Sequence, residues 1–131
     1  GAFTVESGAQ TMRDAIDAGD PLPDAIFCLN DAMAIGALGE LHRRGIQVPR
    51  DVALAGYDNV EAAAHLSLTT VASPMRLMGQ VAARWAVDLV THNERPAGRR
   101  LKVQLAVRNS SAGKGSPHVL PASASALEGR K

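Results

Sequence analysis

Aromatic side chains are scarce in this chain of 131 residues. Phe, Tyr and Trp make up only 3% of it, and the whole set is Phe3, Phe27, Tyr57 and Trp85. The core must therefore be built from aliphatic side chains and alanine. The single cysteine, Cys28, excludes an internal disulfide and a multi-cysteine metal site, and it fits a reducing compartment.

Long hydrophobic runs and a strong charge of one sign are also lacking. No run of about 18 apolar residues occurs, and the N-terminus has no basic stretch followed by an apolar one. We therefore expect a cytoplasmic protein without a membrane span or an export signal. Lys and Arg number 14 against 13 for Asp and Glu, and the net charge of +1 favours no strongly charged partner. Because the chain begins with Gly1 rather than Met, we treat it as a candidate fragment of a longer protein.

The rest of the composition, 46% apolar and 21% charged, is that of a one-domain globular protein. Helical and strand-like patterns alternate, as in an α/β fold. Helices are predicted at 7–18, 32–44, 60–66 and 74–91, and strands at 25–29, 52–57, 68–72 and 101–108. The apolar run 25–29 predicts a strand buried on both faces of a parallel sheet, whereas the alternation in 101–108 predicts an edge strand. Residues 112–131, rich in Ser, Gly, Ala and Pro, are expected to form a disordered tail.

Motifs of several catalytic classes are missing. The four histidines show no HxxH or HExxH spacing, and there is no GxSxG, GxGxxG or GxxxxGK[ST] motif. Cys28 lies in an apolar run and is expected to be a core residue rather than a nucleophile. We therefore expect no bound metal, no cofactor and no enzymatic activity.

Two polar pairs follow the first two predicted strands. They are Asn30-Asp31 and Asp58-Asn59, at the carboxyl ends of strands where open α/β sheets bind their ligands. A carboxylate and an amide there can bind vicinal hydroxyls or the edge of a base. The same residue types also cap helices and form turns, and the spacing leaves both roles open. We expect Asp31 to be the helix cap, which leaves Asn30 free to face a cleft.

Several segments together resemble one protein family. They are FTVESG at 3–8, PDAIFCLNDAMAIGAL at 23–38, VALAGYDN at 52–59, LTTV at 68–71 and RNSS at 108–111. In this order and spacing they resemble the effector-binding domain of lac/gal repressor-type (LacI/GalR) transcription regulators. The resemblance implies an α/β, periplasmic-binding-protein-like fold, a three-layer sandwich with a parallel sheet. Residues 1–111 would form the C-terminal portion of that domain, mostly its second lobe, with the helix at 74–91 packing into the first lobe.

The resemblance also implies a function for the full-length protein. In this family a small effector, a sugar or a nucleobase-like molecule, binds between two lobes and changes how a homodimer presents its helix-turn-helix headpieces to operator DNA. The headpiece is absent from this chain, so operator DNA would be bound only through a part of the protein not included here. Helix 32–44 and residues 60–66 are expected to help form the dimer interface. Their small residues also fit ordinary packing within the chain.

Four residues match ligand-binding positions of the family. Phe3 stands where an aromatic ring stacks on the apolar face of a sugar or base. Asn30 matches a polar contact after the first strand, and Asp58 matches an aspartate that binds effector hydroxyls or amines. Ser73 is a weaker match, because many relatives carry a larger glutamine there. The alternatives are that Phe3 covers its helix, that Asn30 is a cap and that Asp58 is a turn residue.

Two other functional classes remain open. A solute-binding protein of a sugar ABC transporter has the same core, and an upstream signal peptide in place of a headpiece would identify it. An enzyme on a generic doubly wound fold would need a catalytic pair, which the sequence does not show.

Overall fold

The computed structural model describes residues 2–93 and 97–113. Its elements are α1 (Val5–Asp17), β1 (Ala25–Phe27), α2 (Asp31–Arg43), β2 (Ala53–Tyr57), α3 (Glu61–His65), β3 (Thr69–Ala72), α4 (Met75–His92) and β4 (Gln104–Ala106). The predicted order of helices and strands is therefore confirmed, with boundaries that differ by a few residues. The predicted tail at 112–131 lies outside the described residues from residue 114 onward.

The four strands form one sheet in the order β1-β2-β3-β4. Strands β1, β2 and β3 are parallel, with Ile26 opposite Leu54 and Gly56 opposite Thr70. Strand β4 pairs antiparallel with β3 and places Ala106 opposite Thr70. The prediction of a parallel sheet thus holds for three strands and needs correction for the fourth. The prediction of an edge strand near the end of the domain is confirmed, and an antiparallel edge is common in such sheets.

The core lies between one face of the sheet and helix α2. Leu41 of α2 packs there with Leu54 and Leu68, and all three side chains are fully buried. Helix α1 packs against α2 and contributes Met12 to the same cluster. The other buried members are alanines, Val52, Leu38 and Cys28, so the core is aliphatic and alanine-rich, as the shortage of aromatic residues predicts.

None of the described residues covers the other face of the sheet, which corrects one expectation. The run 25–29 predicts burial on both faces, but Phe27 is 58% exposed and Leu29 is 64% exposed. Side chains alternate between the two faces of a strand. Ile26 therefore packs on the core while Phe27 faces away from α2. Burial on both faces needs a second layer, and α1 and α2 both lie on the first face.

Helix α4 has an apolar face that the described residues do not bury. None of its residues is buried, and Met78 and Leu89 are 46% and 45% exposed. The family resemblance assigns this helix to the first lobe, and a helix that packs on another lobe keeps its apolar face uncovered in this segment. No helix of the described residues is long and apolar enough to cross a membrane.

Three arginines surround a buried carboxylate where α1 meets the end of α2. The Glu40 side chain is 2% exposed, and its Oε1 accepts hydrogen bonds from Arg43 Nη2 at 2.5 Å and Arg44 Nε at 2.9 Å. Arg13 Nε of α1 lies 3.7 Å from Glu40 Oε2. The hydrogen bond from Arg43, followed by that from Arg44, lowers the pKa of Glu40 to about 2.

We expect this carboxylate to make the stability of the chain depend on pH in the acid range. A carboxyl group with a lowered pKa in the folded state stabilises the fold above its unfolded pKa, near 4.5, and loses that contribution as the pH falls toward about 2. Glu40→Gln should therefore be less stable than the unmodified chain at neutral pH and should lose less stability on acidification. Thermal melts over this range measure both effects.

The matched control is Glu61→Gln, because the Glu61 side chain is 93% exposed. This variant should follow the unmodified chain at every pH. If Glu40→Gln and the unmodified chain lost stability in parallel between about pH 5 and pH 2, the carboxylate would have no such role.

Candidate functional site

Asn30 joins the start of α2 to the N-terminal segment. Its Oδ1 accepts a hydrogen bond from the backbone N–H of Met33, and its Nδ2 donates to the backbone oxygen of Phe3, both at 2.9 Å. Asn30 is therefore the N-cap of α2, and the prediction that Asp31 is the cap is wrong by one residue. The reason is geometric. Asn30 has the extended backbone that lets a side chain reach the third N–H of the helix, whereas Asp31 is already helical and its carboxylate turns inward.

Phe3 lies beside this cap and exposes its ring. Its backbone is left-handed, with φ of 54°, and its side chain is 57% exposed. The next residue, Thr4, caps α1 through a reciprocal pair of hydrogen bonds with Ser7. The backbone of Phe3 is thus held between two helix starts while its ring stays available for stacking. The structure brings Phe3 and Asn30 together through the hydrogen bond between them, and neither residue lines the cavity described below.

Asp58 and Asn59 form the turn between β2 and α3 in an uncommon backbone conformation. Their φ angles are 108° and 59°, in the left-handed region that residues other than glycine rarely adopt. The Asp58 N–H donates to the oxygen of Val71 at 2.9 Å, and the Asn59 side-chain oxygen accepts from Arg108 Nη2 at 2.7 Å. The turn is fixed by these bonds, but no hydrogen bond from a described residue engages the Asp58 carboxylate.

A cavity of about 410 Å³ opens beside this turn. Asp58 and the hydroxyl of Ser73, which follows β3, supply polar groups, and Arg99 supplies a cation. Tyr57, Met75 and Met78 are among the largely apolar remainder of the lining. The cavity is partly open to solvent, and its lining combines apolar walls with a few polar groups. The structure therefore brings Asp58 and Ser73 to one cavity.

Asp31 is a buried group that sequence reasoning missed. It is 0% exposed, its Oδ1 accepts a hydrogen bond from Thr70 Oγ1 at 2.6 Å, and its Oδ2 accepts from the backbone N–H of Val60 at 2.9 Å. Its partners are 29 and 39 positions away in the sequence. Local spacing shows only that an acid follows Asn30, so no sequence signal could have found these contacts.

Arg108 is a second residue whose role the sequence did not indicate. Its Nη1 donates to the backbone oxygen of Leu68 at 2.6 Å, while its Nη2 holds Asn59. Residues 108–111, the RNSS segment of the family resemblance, are thus hydrogen-bonded through Arg108 to the turn beside the cavity.

The remaining candidate chemistry is absent from the part of the chain that the structure describes. No group of three or more His, Cys, Asp or Glu side chains lies close enough to hold a metal ion. Cys28 is buried, and desolvation raises the pKa of its thiol, so the reactive thiolate is disfavoured. The prediction that Cys28 is a core residue is confirmed.

Comparisons with known proteins agree on one kind of domain. The periplasmic binding protein-like domain family matches residues 1–111. The chain is similar to the HTH-type transcriptional repressor CytR of Escherichia coli (strain K12), with 35% identity over 114 residues, which are 85% of this chain and 33% of CytR.

Among solved structures, the chain is similar to the complex of the transcriptional regulator CelR with cellobiose, with a TM-score of 0.78 and 38% identity over 85% of this chain and 35% of that one. It is also similar to a LacI family transcriptional regulator from Enterococcus faecium with bound ribose, with a TM-score of 0.72 and 30% identity over 84% of this chain and 41% of that one. The chain spans about a third of the length of the curated relatives it matches.

Proposed function

Since the chain belongs to the periplasmic binding protein-like domain family, as part of the effector-binding domain of a LacI-family regulator, we propose that it forms one side of a site for a small hydroxylated effector. Two similar regulators have been crystallised with sugars, which favours a carbohydrate as the effector class. The relatives are regulators of transcription rather than enzymes, so we propose a role in sensing without catalysis.

The full-length protein would connect this site to DNA. Effector binding would shift the balance between two arrangements of the lobes and thereby change the affinity of the headpieces for operator DNA. A headpiece outside this chain would make the DNA contacts, in a cytoplasmic homodimer. The cleft would lie between the cavity beside Asp58 and the other lobe.

The observation that carries this proposal is the state of the Asp58 carboxylate. Its backbone is fixed, yet none of the described residues donates a hydrogen bond to its oxygens. An ionised carboxylate can accept about four hydrogen bonds, and two adjacent hydroxyls of a sugar supply two donors with matching geometry. Because hydrogen bonds already hold the backbone of the turn, little ordering of the site is needed when a ligand binds.

Phe3 and Asn30 would form a second side of the proposed effector site. The exposed ring of Phe3 offers an apolar face on which a sugar ring can stack. Each polar atom of the Asn30 amide makes one hydrogen bond within the chain, and each has the capacity for a second. Asn30 can therefore be the helix cap and contact an effector at the same time.

We expect Asp58→Asn to weaken effector binding by roughly 1.5–3 kcal/mol, which is about tenfold to a hundredfold in Kd. The change keeps the size of the side chain and removes the charge that strengthens its hydrogen bonds. A thermal-shift panel of pentoses, hexoses, disaccharides, nucleosides and purines at millimolar concentration finds the effector, because a ligand that binds only the folded state raises its stability. Titration calorimetry then compares the variants.

Asp20→Asn is the matched control, since Asp20 is exposed in the turn after α1. It should bind the effector as the unmodified chain does. An unchanged Kd in Asp58→Asn would remove Asp58 from the site. A cooperative melt that no member of the panel shifts would show that this chain does not form a binding site by itself.

A further inference from the structure

The two sides of the proposed site meet at one buried carboxylate. Asp31 directly follows Asn30 on the first turn of α2, and its two oxygens are bound to Thr70 of β3 and to the N–H of Val60. Val60 comes two residues after Asp58. The carboxylate therefore connects the element that carries Asn30 to the turn that carries Asp58.

The hydrogen bonds at this carboxylate form a short chain with fixed directions. The Asn59 N–H donates to Thr70 Oγ1 at 3.2 Å, and the same hydroxyl donates its own proton to Asp31 Oδ1 at 2.6 Å. The Val60 N–H donates directly to Asp31 Oδ2 at 2.9 Å. Two successive N–H groups of the turn are thus held by Asp31, one of them through Thr70.

This support matters because the turn is in a conformation that does not persist unaided. Asp58 and Asn59 both have positive φ angles, and side chains in that region are retained only where the surroundings hold them. The N–H groups held by Asp31 belong to Asn59 and to the residue that follows it. Without these two bonds only the hydrogen bonds of Asp58 with Val71 and of Asn59 with Arg108 would hold the turn, so its backbone angles and the Asp58 carboxylate would shift.

The Asp31 side chain is fully buried and packs closely against β2. A Cβ atom added at Gly56 of β2 would lie 2.3 Å from Asp31 Oδ1, so the carboxylate sits directly against that strand. Among the described residues no arginine, lysine or histidine forms an ion pair with Asp31. The hydrogen bonds to its oxygens come from neutral donors, the hydroxyl of Thr70 and the N–H of Val60.

We propose that Asp31 is the positioning residue that sets the Asp58 carboxylate relative to Asn30 in the effector site. The proposal rests on the function proposed above and concerns how the two sides of that site are aligned. Asp31 does not touch the effector, because it is fully buried. It acts through the turn, so its loss should be measurable at the turn even without a ligand.

The test compares Asp31→Asn with the unmodified chain by amide hydrogen exchange and by sugar binding. The asparagine keeps the shape of the side chain but offers only one acceptor oxygen to two donors. At least one of the two turn amides, Asn59 or Val60, should exchange about tenfold faster, while the buried amide of Leu54, bound to the oxygen of Ser110, should not change. Unchanged exchange at both turn amides would overturn the proposal.

A double-mutant cycle with Asp58→Asn, using ribose and cellobiose as probes, separates positioning from general stability. Asp31→Asn alone should raise Kd about tenfold, and in the Asp58→Asn background it should raise Kd no further, because both changes act on the same contact. Additive effects would contradict the proposal. If the unmodified chain binds neither sugar but Asp31→Asn still speeds amide exchange at the turn, the proposed effector site is contradicted. The role of Asp31 in holding the turn would then still stand.

Thr70 supplies a second pair of variants in case Asp31→Asn does not fold. Thr70→Val removes the hydroxyl that joins Asn59 to Asp31 and should speed exchange at Asn59. Thr70→Ser keeps the hydroxyl and should restore slow exchange together with the original Kd. If valine and serine at this position behaved alike, the hydroxyl would not transmit the support, and the inference would fail.

Discussion

Gly36→Ala should destabilise the chain by about 3 kcal/mol or more. Gly36 lies where α2 crosses α1, and a Cβ atom at this position would be 1.9 Å from the carbonyl oxygen of Val5 and 2.8 Å from the nitrogen of Ala9. Both are backbone atoms of α1, so no change of rotamer can relieve the clash. The helices would have to separate, and the contact that buries Met12 would be lost with them.

The same helix provides a control with the opposite sign. Gly39 is also in α2, but a Cβ atom there would meet nothing within 4 Å. Gly39→Ala should therefore stabilise the chain by about 0.5–1 kcal/mol, because alanine is the better helix former. Urea denaturation of both variants gives the comparison. If the two alanines had effects of the same sign, the close crossing of α1 and α2 would be disproved.

This crossing also decides between two interpretations of the small residues of α2. The sequence left open whether they serve a dimer interface or packing within the chain. Gly36 packs against the backbone of α1, and Ala34 faces Gly56 of β2 so closely that a Cβ atom added there would lie 3.2 Å from the Ala34 Cβ. For these two residues the packing is internal. The homodimer remains a proposal, and it would have to use other surfaces of the helix.

The features that the sequence predicted well are those with a local signal. Asn30 and Asp31 mark the start of α2 because polar residues follow an apolar run. The alternation of residues 101–108 identified an edge strand. Each of these depends on the chemistry of a few neighbouring residues, which a single sequence contains.

The features that the sequence did not predict depend on distant parts of the chain. Strand direction is not encoded in alternation, so the antiparallel pairing of β4 was missed. The exposure of Phe27 depends on whether a second layer covers the sheet. In the candidate site, the family resemblance implied a ligand-binding role for Asp58, but the contacts of the turn with Asp31 and Arg108 join residues far apart in the sequence.

Ser110→Ala should destabilise the chain by about 3 kcal/mol, because it leaves two buried backbone groups without a partner. Ser110 is 5% exposed and sits between β2 and β3. Its hydroxyl donates to the oxygen of Leu54 at 2.6 Å and accepts from the N–H of Thr69 at 2.8 Å. Its backbone adds a bond in each direction, from the Leu54 N–H and to the oxygen of Ser67.

The loss of these hydrogen bonds should also weaken effector binding, because β2 ends next to Asp58 and β3 ends next to Ser73, and both residues line the cavity. Loosening the start of both strands allows their far ends to move apart, so the effector Kd should rise together with the fall in stability. Asn109→Ala is the control, because Asn109 is exposed beside Ser110, and its stability should change by less than about 0.5 kcal/mol. Denaturant melts and sugar titrations of both variants measure the two effects. A stable Ser110→Ala variant would mean that the strands, rather than the segment after β4, hold the cavity together.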